Sequence, residues 1–192
     1  MAAPLRADNL SPRHRSVDLE TLFKQCFYSD YKTLLMGGAD EPLYSPAASP
    51  AKPHCLYYRA DYFASALHEI AHWCVAGAER RLQEDWGYWY CPDGRSPAQQ
   101  RAFEAVEIAP QAIEWMFSVA AAAPFRISRD NLLAGNLDAA CSDFHRAVAA
   151  QVQCYRQASL PPRAAQFFFA LSQFYGVAEP LSDKYYCLEA LL

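Results

Sequence analysis

Residues 97–123 form a long apolar segment with the 3.6-residue periodicity of an α-helix, and three polar side chains lie along one stripe of it. Glu107, Gln111 and Glu114 stand at positions i, i+4 and i+7 of that stripe. A helix that is otherwise apolar is expected to be buried, and buried polar groups need partners. The segment therefore predicts a mainly helical fold with a polar site inside it, and Pro110 predicts a bend in the helix.

A second predicted helix, residues 61–81, carries the sequence His68-Glu69-Ile70-Ala71-His72. Asp61 is its expected N-cap, and Arg80 and Arg81 complement the helix dipole at its C-terminal end. The two histidines are four residues apart, which places both imidazoles on one face of the helix, about one turn from each other. This is the His-Glu-x-x-His pattern of zinc proteases, and it predicts a metal site.

A complete metal site needs a third ligand, because catalytic metals usually have three protein ligands and one open position. Glu107 is the predicted ligand, since it begins the polar stripe, and Glu104 is the alternative. Glu114 is a candidate to orient one of the histidines through a hydrogen bond. The alternative to a metal site is a pair of partly buried histidines that are hydrogen-bonded within a helical bundle.

Two chemistries fit two histidines and one carboxylate. With zinc, Glu69 would deprotonate a metal-bound water for peptide hydrolysis. With ferrous iron, the ligands would leave positions for dioxygen and support hydroxylation. The chain contains no His-x-Asp or His-x-Glu pair, so a jelly-roll 2-oxoglutarate oxygenase is disfavoured. The residues alone therefore favour a zinc hydrolase, and a metal-stabilised helical adaptor without catalytic activity is a third hypothesis.

Composition and cysteine usage restrict the class of protein. The 192 residues are 53% hydrophobic and 20% charged, which is typical of a globular domain rather than a disordered chain. The net charge of −4 disfavours nucleic-acid binding. Seven scattered cysteines without a Cys-x-x-Cys pair indicate free thiols in a reducing compartment. With no signal peptide and no apolar stretch long enough to span a bilayer, the protein is expected to be cytoplasmic and away from membranes.

The expected fold class is α+β and predominantly helical: one domain with a small sheet and a zinc-protease-like metal-binding helix. Residues 1–15 are expected to form a flexible N-terminal arm, and residues 16–192 a single metal-binding catalytic domain. In chain order, the other predicted elements are a helix capped by Ser16, a turn at Gly37 and Gly38, a loop at 45–53, a short strand at 55–58, an aromatic run of β character at 86–90, helices near 138–157 and 162–175, and an apolar tail at 186–192 that docks on the core.

Several blocks of residues are more specific than a general metal motif. They are His68-Glu69-Ile70-Ala71-His72-Trp73-Cys74, Ala76-Gly77 and, most specific, Gly87-Tyr88-Trp89-Tyr90-Cys91-Pro92-Asp93-Gly94-Arg95. Others are Asp40-Glu41-Pro42-Leu43-Tyr44 upstream, and Phe103-Glu104, Val106-Glu107, Pro110-Gln111-Ala112, Ala120-Ala121 and Pro124-Phe125 downstream. With these blocks the chain resembles the elongation factor P hydroxylase family over about residues 18–175. It departs from the family in a longer N-terminal arm and in a Pro/Ala/Ser insertion at 45–53.

This resemblance implies a non-haem monooxygenase with one divalent metal ion, Fe(II), and dioxygen as its co-substrate. The implied substrate and partner is elongation factor P in its β-lysylated form, hydroxylated on the modified lysine. His68, His72 and Glu107 correspond to the metal ligands, and Glu69 would act in catalysis by orienting a metal-bound water or the substrate ammonium. The residues implied near the mouth of the substrate pocket are Tyr88, Tyr90, Asp93 and Arg95. The alternative for the aromatic residues is core packing, and for Asp93 it is a purely structural turn.

Overall fold

The computed structural model describes residues 14–86, 96–128 and 138–191. Within these residues the chain forms five α-helices and three β-strands. They are α1 (Ser16–Tyr31), β1 (Thr33–Ala39), β2 (Leu43–Ser45), β3 (His54–Arg59), α2 (Phe63–Val75), α3 (Pro97–Ala120), α4 (Asp138–Gln157) and α5 (Pro162–Tyr175). Short 3₁₀ turns lie at Arg80–Leu82, Asp183–Tyr185 and Leu188–Leu191. The predicted class, mainly helical with a small sheet, is confirmed.

The sheet is small and packs one face against the helices. β3 lies in the middle, parallel to β1 and antiparallel to β2. Successive side chains of a strand point to opposite faces, and one face here contributes the buried residues Leu35, Tyr44, Leu56 and Tyr58 to the core. The strand predicted at 55–58 is confirmed within β3, whereas β1 and β2 were not predicted.

The turn predicted at Gly37 and Gly38 is wrong, because both glycines lie within β1. Gly37 is required by a close approach, since a Cβ atom there would lie 2.6 Å from the hydroxyl oxygen of Tyr58. That hydroxyl donates to Oε1 of Glu20 at 2.8 Å, and the amide of Gly37 donates to the same oxygen at 3.0 Å. The missing side chain thus makes room for a contact that joins β1, β3 and α1.

Aromatic side chains fill the core where α1, α2, α3 and α5 meet. The ring of Trp73 on α2 lies 5.0 Å from that of Phe23 and 4.8 Å from that of Phe27, both on α1. Phe167 on α5 lies 6.2 Å from Phe23 and 5.2 Å from Phe117 on α3. Burying an aromatic side chain of this kind contributes about 1.5–3 kcal/mol, so this layer fixes α2 against the rest of the core.

The helix that carries the His-Glu-x-x-His sequence is shorter than predicted. α2 has Tyr62 rather than Asp61 at its N-cap, and it ends at Val75 rather than near residue 81. The backbone is extended at Ala76, and a separate 3₁₀ turn follows at Arg80–Leu82. The carbonyl group of Ala76 accepts hydrogen bonds from the side chains of Arg81 and Arg163.

The remaining helices lie close to their predicted ranges. α3 begins after a capping box formed by Ser96 and Gln99, contains Pro110, and ends slightly before the predicted residue 123. α4 and α5 have the bounds predicted for them. The C-terminal tail docks as predicted, with Tyr186 and Leu191 buried. In the part of the chain described, no helix combines the length and the apolar character needed to cross a lipid bilayer.

Two predicted segments lie partly outside the described residues. The described residues leave out residues 1–13 of the N-terminal arm and residues 87–90 of the aromatic run. His14, at the end of the predicted arm, has its Nε2 atom 2.9 Å from the carbonyl oxygen of Ala121, and its ring lies 5.1 Å from that of Phe63. This end of the arm is therefore in contact with the core.

Candidate metal centre

Two helices bring the three predicted ligands together. His68 and His72 lie on the face of α2 that packs against α3, and Glu107 projects from α3 towards them. The Nε2 atoms of the two histidines are 3.0 Å apart. Glu107 places Oε1 3.2 Å from Nε2 of His72 and Oε2 3.7 Å from Nε2 of His68. Helical periodicity thus accounts for the histidine pair, and the packing of α2 on α3 supplies the carboxylate.

The geometry of this cluster fits a single divalent ion. Two ligand atoms that are each about 2.1 Å from one ion are about 3.0 Å apart at a right angle and about 3.4 Å apart at a tetrahedral angle. The separation of 3.0 Å between the imidazole nitrogens and that of 3.2 Å from His72 to Oε1 of Glu107 lie within this range, and that of 3.7 Å from His68 to Oε2 of Glu107 is slightly longer. Two imidazole nitrogens and a carboxylate oxygen form a donor set that Fe(II), Zn²⁺ and related ions accept.

The cluster is open on its histidine side. The side chain of Glu107 is 7% exposed, whereas those of His68 and His72 are 21% and 25% exposed. The carboxylate therefore closes the inner side of the centre, while the imidazoles border the solvent. An ion held here would be reached from the α2 side, as a catalytic metal with an open position requires.

Glu114, one helical turn beyond Gln111 on α3, orients one of the histidines. Its Oε2 atom lies 2.7 Å from Nδ1 of His68, and its side chain is buried. With the Nδ1 proton donated to this carboxylate, the lone pair of Nε2 points to the centre of the cluster. The sequence made Glu114 a candidate to orient a histidine through a hydrogen bond, and this contact is such a bond.

The charges of the cluster shift its pKa values in opposite directions. Burial by itself lowers the pKa of His68, but the charge and hydrogen bond of Glu114, together with the charge of Glu107, outweigh it and raise the pKa to about 10. Burial by itself raises the pKa of Glu107, but the hydrogen bond from His72 and the charges of both histidines lower it to about 2. Without a metal, the cluster therefore holds a proton on His68 between two carboxylates.

Glu69 lies beside the cluster without belonging to it. Its carboxyl group is half-buried and makes no hydrogen bond with the described residues. Burial raises its pKa, and the positive charges of His68 and His72 oppose that effect. The carboxyl group can therefore interact with a molecule that approaches the open side.

Glu104, the alternative third ligand, lies away from the two histidines. Its Oε1 atom accepts a hydrogen bond from Gln100 at 3.0 Å, and it is not a member of the cluster. Of the two candidate third ligands, Glu107 is the one that joins the histidines in the cluster.

Gln111 is a functional candidate whose partners could not be read from the sequence. It is buried, its Nε2 atom donates to the carbonyl of Ser128 at 3.0 Å, and its Oε1 atom accepts from the amide of Ser128 at 3.2 Å. A hydrogen bond from Gln111 also lowers the pKa of Glu107. The polar stripe on an apolar helix predicted that Gln111 is buried. Its contact with Ser128 could not be predicted, because it depends on how the chain folds back after α3.

The four residues predicted near the substrate pocket lie outside the described residues. They are Tyr88, Tyr90, Asp93 and Arg95.

Comparison with known proteins agrees with the resemblance seen in the sequence. Residues 22–185 match the family model for elongation factor P hydroxylase, a range that includes α2, α3 and every residue of the cluster. The chain is also 44% identical over 169 residues to the elongation factor P lysine hydroxylase of Haemophilus influenzae, which covers 88% of this chain and 94% of that protein. The chain belongs to the elongation factor P hydroxylase family.

Proposed function

We propose that this protein is a metal-dependent monooxygenase that hydroxylates a lysine of elongation factor P, and that the lysine carries a β-lysyl group when it reacts. The observation that carries the proposal is the convergence of His68, His72 and Glu107 in a chain that belongs to this hydroxylase family. Because elongation factor P acts on ribosomes, we place the enzyme in the cytoplasm.

We propose Fe(II) as the metal and dioxygen as the co-substrate. A face of two histidines and one carboxylate leaves positions open on the ion, and bound Fe(II) would supply the activation of dioxygen for hydroxylation. Zinc has no redox chemistry of its own, so a zinc centre would not support a hydroxylase. The zinc peptidase interpretation rests on the spacing of the histidines alone, and neither comparison supports it.

Three carboxylates around the ion have different proposed roles. Glu107 would bind it from the buried side, and Glu114 would keep His68 in the tautomer that binds through Nε2. Glu69 would accept a hydrogen bond from the ammonium group of the substrate or from a water molecule, because its carboxyl group has no described partner beside the open side. We assign Glu69 as the catalytic residue next to the metal ligands.

We retain four residues as the proposed contacts for the substrate: Tyr88, Tyr90, Asp93 and Arg95. The two tyrosines precede Asp93 by five and three positions in the sequence. A lysine extended by a second lysyl group is long and cationic, and it suits aromatic faces combined with a carboxylate.

The test is an intact-mass measurement on two forms of the substrate. The purified chain is incubated with Fe(II), dioxygen and a two-electron reductant, together with either β-lysylated or unmodified elongation factor P. One oxygen atom of dioxygen enters a C–H bond, and the other leaves as water with two electrons and two protons from the reductant. We expect the β-lysylated form to gain one oxygen atom and the unmodified form to gain none.

Each other outcome of that test is informative. If neither form gains oxygen while the reductant and Fe(II) are present, the proposed activity is wrong. If both forms gain oxygen equally, the hydroxylase stands but the requirement for the β-lysyl group is wrong. A reaction under isotopically labelled dioxygen controls for oxygen that comes from water, because the label must appear in the product.

A further inference from the structure

The C-terminal end of α2 lacks the backbone partners that usually close a helix. The last carbonyl groups of a helix have no intrahelical donor, and a glycine in a left-handed conformation often supplies the closing bond. Here Ala76 occupies the C-cap with an extended backbone, φ −61° and ψ 126°. The carbonyl of His72 accepts from the amide of Ala76 at 3.0 Å, but no backbone amide of the described residues donates to the carbonyls of Trp73 and Cys74, and both of these residues are buried.

An arginine from a distant helix satisfies these carbonyls. Arg163, in the first turn of α5, places Nη2 2.9 Å from the carbonyl oxygen of Trp73, 3.0 Å from that of Cys74 and 2.6 Å from that of Ala76. Arg81 adds a second donor, because its Nη1 atom lies 2.6 Å from the same carbonyl oxygen of Ala76. The end of the metal-binding helix is thus capped by side chains rather than by the chain that follows it.

Aromatic rings hold the guanidinium group of Arg163 in place. Its Cζ atom lies 4.8 Å from the ring centroid of Trp73 and 5.5 Å from that of Tyr31, within the range of cation–π contacts. No carboxylate of the described residues forms an ion pair with it. Its described contacts are therefore with the helix carbonyls and the rings, and through them the group joins α1, α2 and α5.

The two histidines of the cluster differ in what fixes them. His68 is anchored through Nδ1 by Glu114 at 2.7 Å. Among the described residues, His72 has no corresponding partner on Nδ1, and its Nε2 atom faces the cluster. His72 also lies in the last turn of α2, where helices fray most readily. Its position consequently depends on the backbone of that turn.

From these contacts we propose that Arg163 is a positioning residue of the metal centre, which holds the last turn of α2 so that His72 reaches the ion. The inference rests on the proposed metal centre. The planar guanidinium group matters, since it can stack on Trp73 while its Nη2 atom donates to the carbonyls, whereas lysine offers a compact charge without a plane. Losing Arg163 frees the turn and displaces His72, while His68 stays bound to Glu114.

The experiment compares Arg163→Met and Arg163→Lys with a matched control, Arg156→Met. Arg156 also binds a carbonyl, that of Leu181 at 2.8 and 3.0 Å, and it also stacks on an aromatic ring, that of Tyr186 at 5.1 Å. It does so in the C-terminal segment rather than on α2. Each protein is prepared without metal and is then titrated with Co²⁺. The titration gives the dissociation constant of Co²⁺ and the visible absorption spectrum of the bound ion.

We expect Arg163→Met to raise the dissociation constant of Co²⁺ about tenfold or more and to change the spectrum, as loss of a supporting residue does at other metal sites. In the metal-free protein, the amide of Ala76 should exchange its hydrogen faster than in the wild type. Arg156→Met should lower the melting temperature but leave Co²⁺ affinity and spectrum unchanged. Arg163→Lys should fall between the wild type and Arg163→Met.

The inference is overturned if Arg163→Met binds Co²⁺ with the affinity and spectrum of the wild type. Should Arg163→Met fail to fold, Arg163→Lys decides in the same way: wild-type affinity and spectrum overturn the inference, and a weaker, altered site supports it. Wild-type protein that binds no Co²⁺ would overturn the proposed metal centre and the inference with it. Wild-type protein that binds Co²⁺ but never hydroxylates its substrate would overturn the proposed function alone.

Discussion

Glu114 and His68 are 2.7 Å apart from Oε2 to Nδ1, closer than either histidine is to Glu107. This single hydrogen bond decides which nitrogen of His68 faces the cluster, and it places a second buried carboxylate beside Glu107. The two buried carboxylates, of Glu107 and Glu114, attract a divalent cation more strongly than the two histidines alone would.

Replacing Glu114 by glutamine should weaken metal binding without removing a ligand. The amide keeps the shape of the side chain but loses the charge that supports His68, and we expect affinity for a divalent ion to fall about 10- to 100-fold. Competition with a chelator of known affinity measures the change. Glu104→Gln is the matched control on the same helix, because Glu104 bonds to Gln100 and not to the cluster, and it should bind metal like the wild type.

The metal-free protein should lose stability as the pH rises from about 6.5 to about 10. The pKa of His68 is raised from its usual 6.5 to about 10 in the folded state, so its proton stabilises the fold fully below 6.5 and the contribution disappears towards 10. Urea unfolding at several pH values measures the free energy of unfolding. Other groups titrate in this window, and Glu114→Gln separates them, since it should show a shallower loss; parallel curves for the two proteins would contradict the assignment.

Glu69 and Glu107 should respond differently to the same substitution. Glu107→Gln is expected to reduce both metal affinity and turnover by about a hundredfold or more, because it removes a ligand. Glu69→Gln should keep metal affinity within about twofold and still reduce turnover, since Glu69 lies beside the cluster rather than in it. Metal content after dialysis and oxygen incorporation are measured on the same samples. Loss of metal from Glu69→Gln would show that Glu69 is a ligand.

Gly37→Ala should destabilise the fold by about 1–3 kcal/mol through overpacking. The added Cβ atom would meet the hydroxyl of Tyr58 at 2.6 Å and the carbonyl oxygen of Ala60 at 2.9 Å, so the bond from Tyr58 to Glu20 has to shift. Thermal unfolding measures the effect. Gly77→Ala is the control, because a Cβ atom there meets nothing within 4 Å, and an equal loss of stability in both variants would exclude the steric explanation.

The three residues of the cluster could be identified from the sequence because their signals are local. The spacing of His68 and His72 follows from helix geometry, and Glu107 stood out as a charged residue on an apolar helix. The bounds of α4 and α5 were predicted for a similar reason, since apolar periodicity and flanking prolines mark them within the segment itself.

The errors arise where contacts across the chain decide the structure. The two adjacent glycines of β1 predict a turn from the sequence. The close approach of Tyr58 explains why a glycine is needed at position 37 of the strand. α2 was extended to Arg81 because its basic residues suit a helix C-terminus, and Arg81 does bind that terminus, but from a separate 3₁₀ turn. Arg163 gives no local signal, because its partner Trp73 is 90 positions earlier.

That separation has a consequence for the order in which a newly made chain matures. Both histidines leave the ribosome long before Arg163 does, so a growing chain has the histidine pair before it has the guanidinium group that binds the last turn of α2. Under the role proposed for Arg163, the centre would be complete only after α5 has been synthesised and has docked. A metal ion would then be captured tightly only by polypeptides in which α5 is already in place.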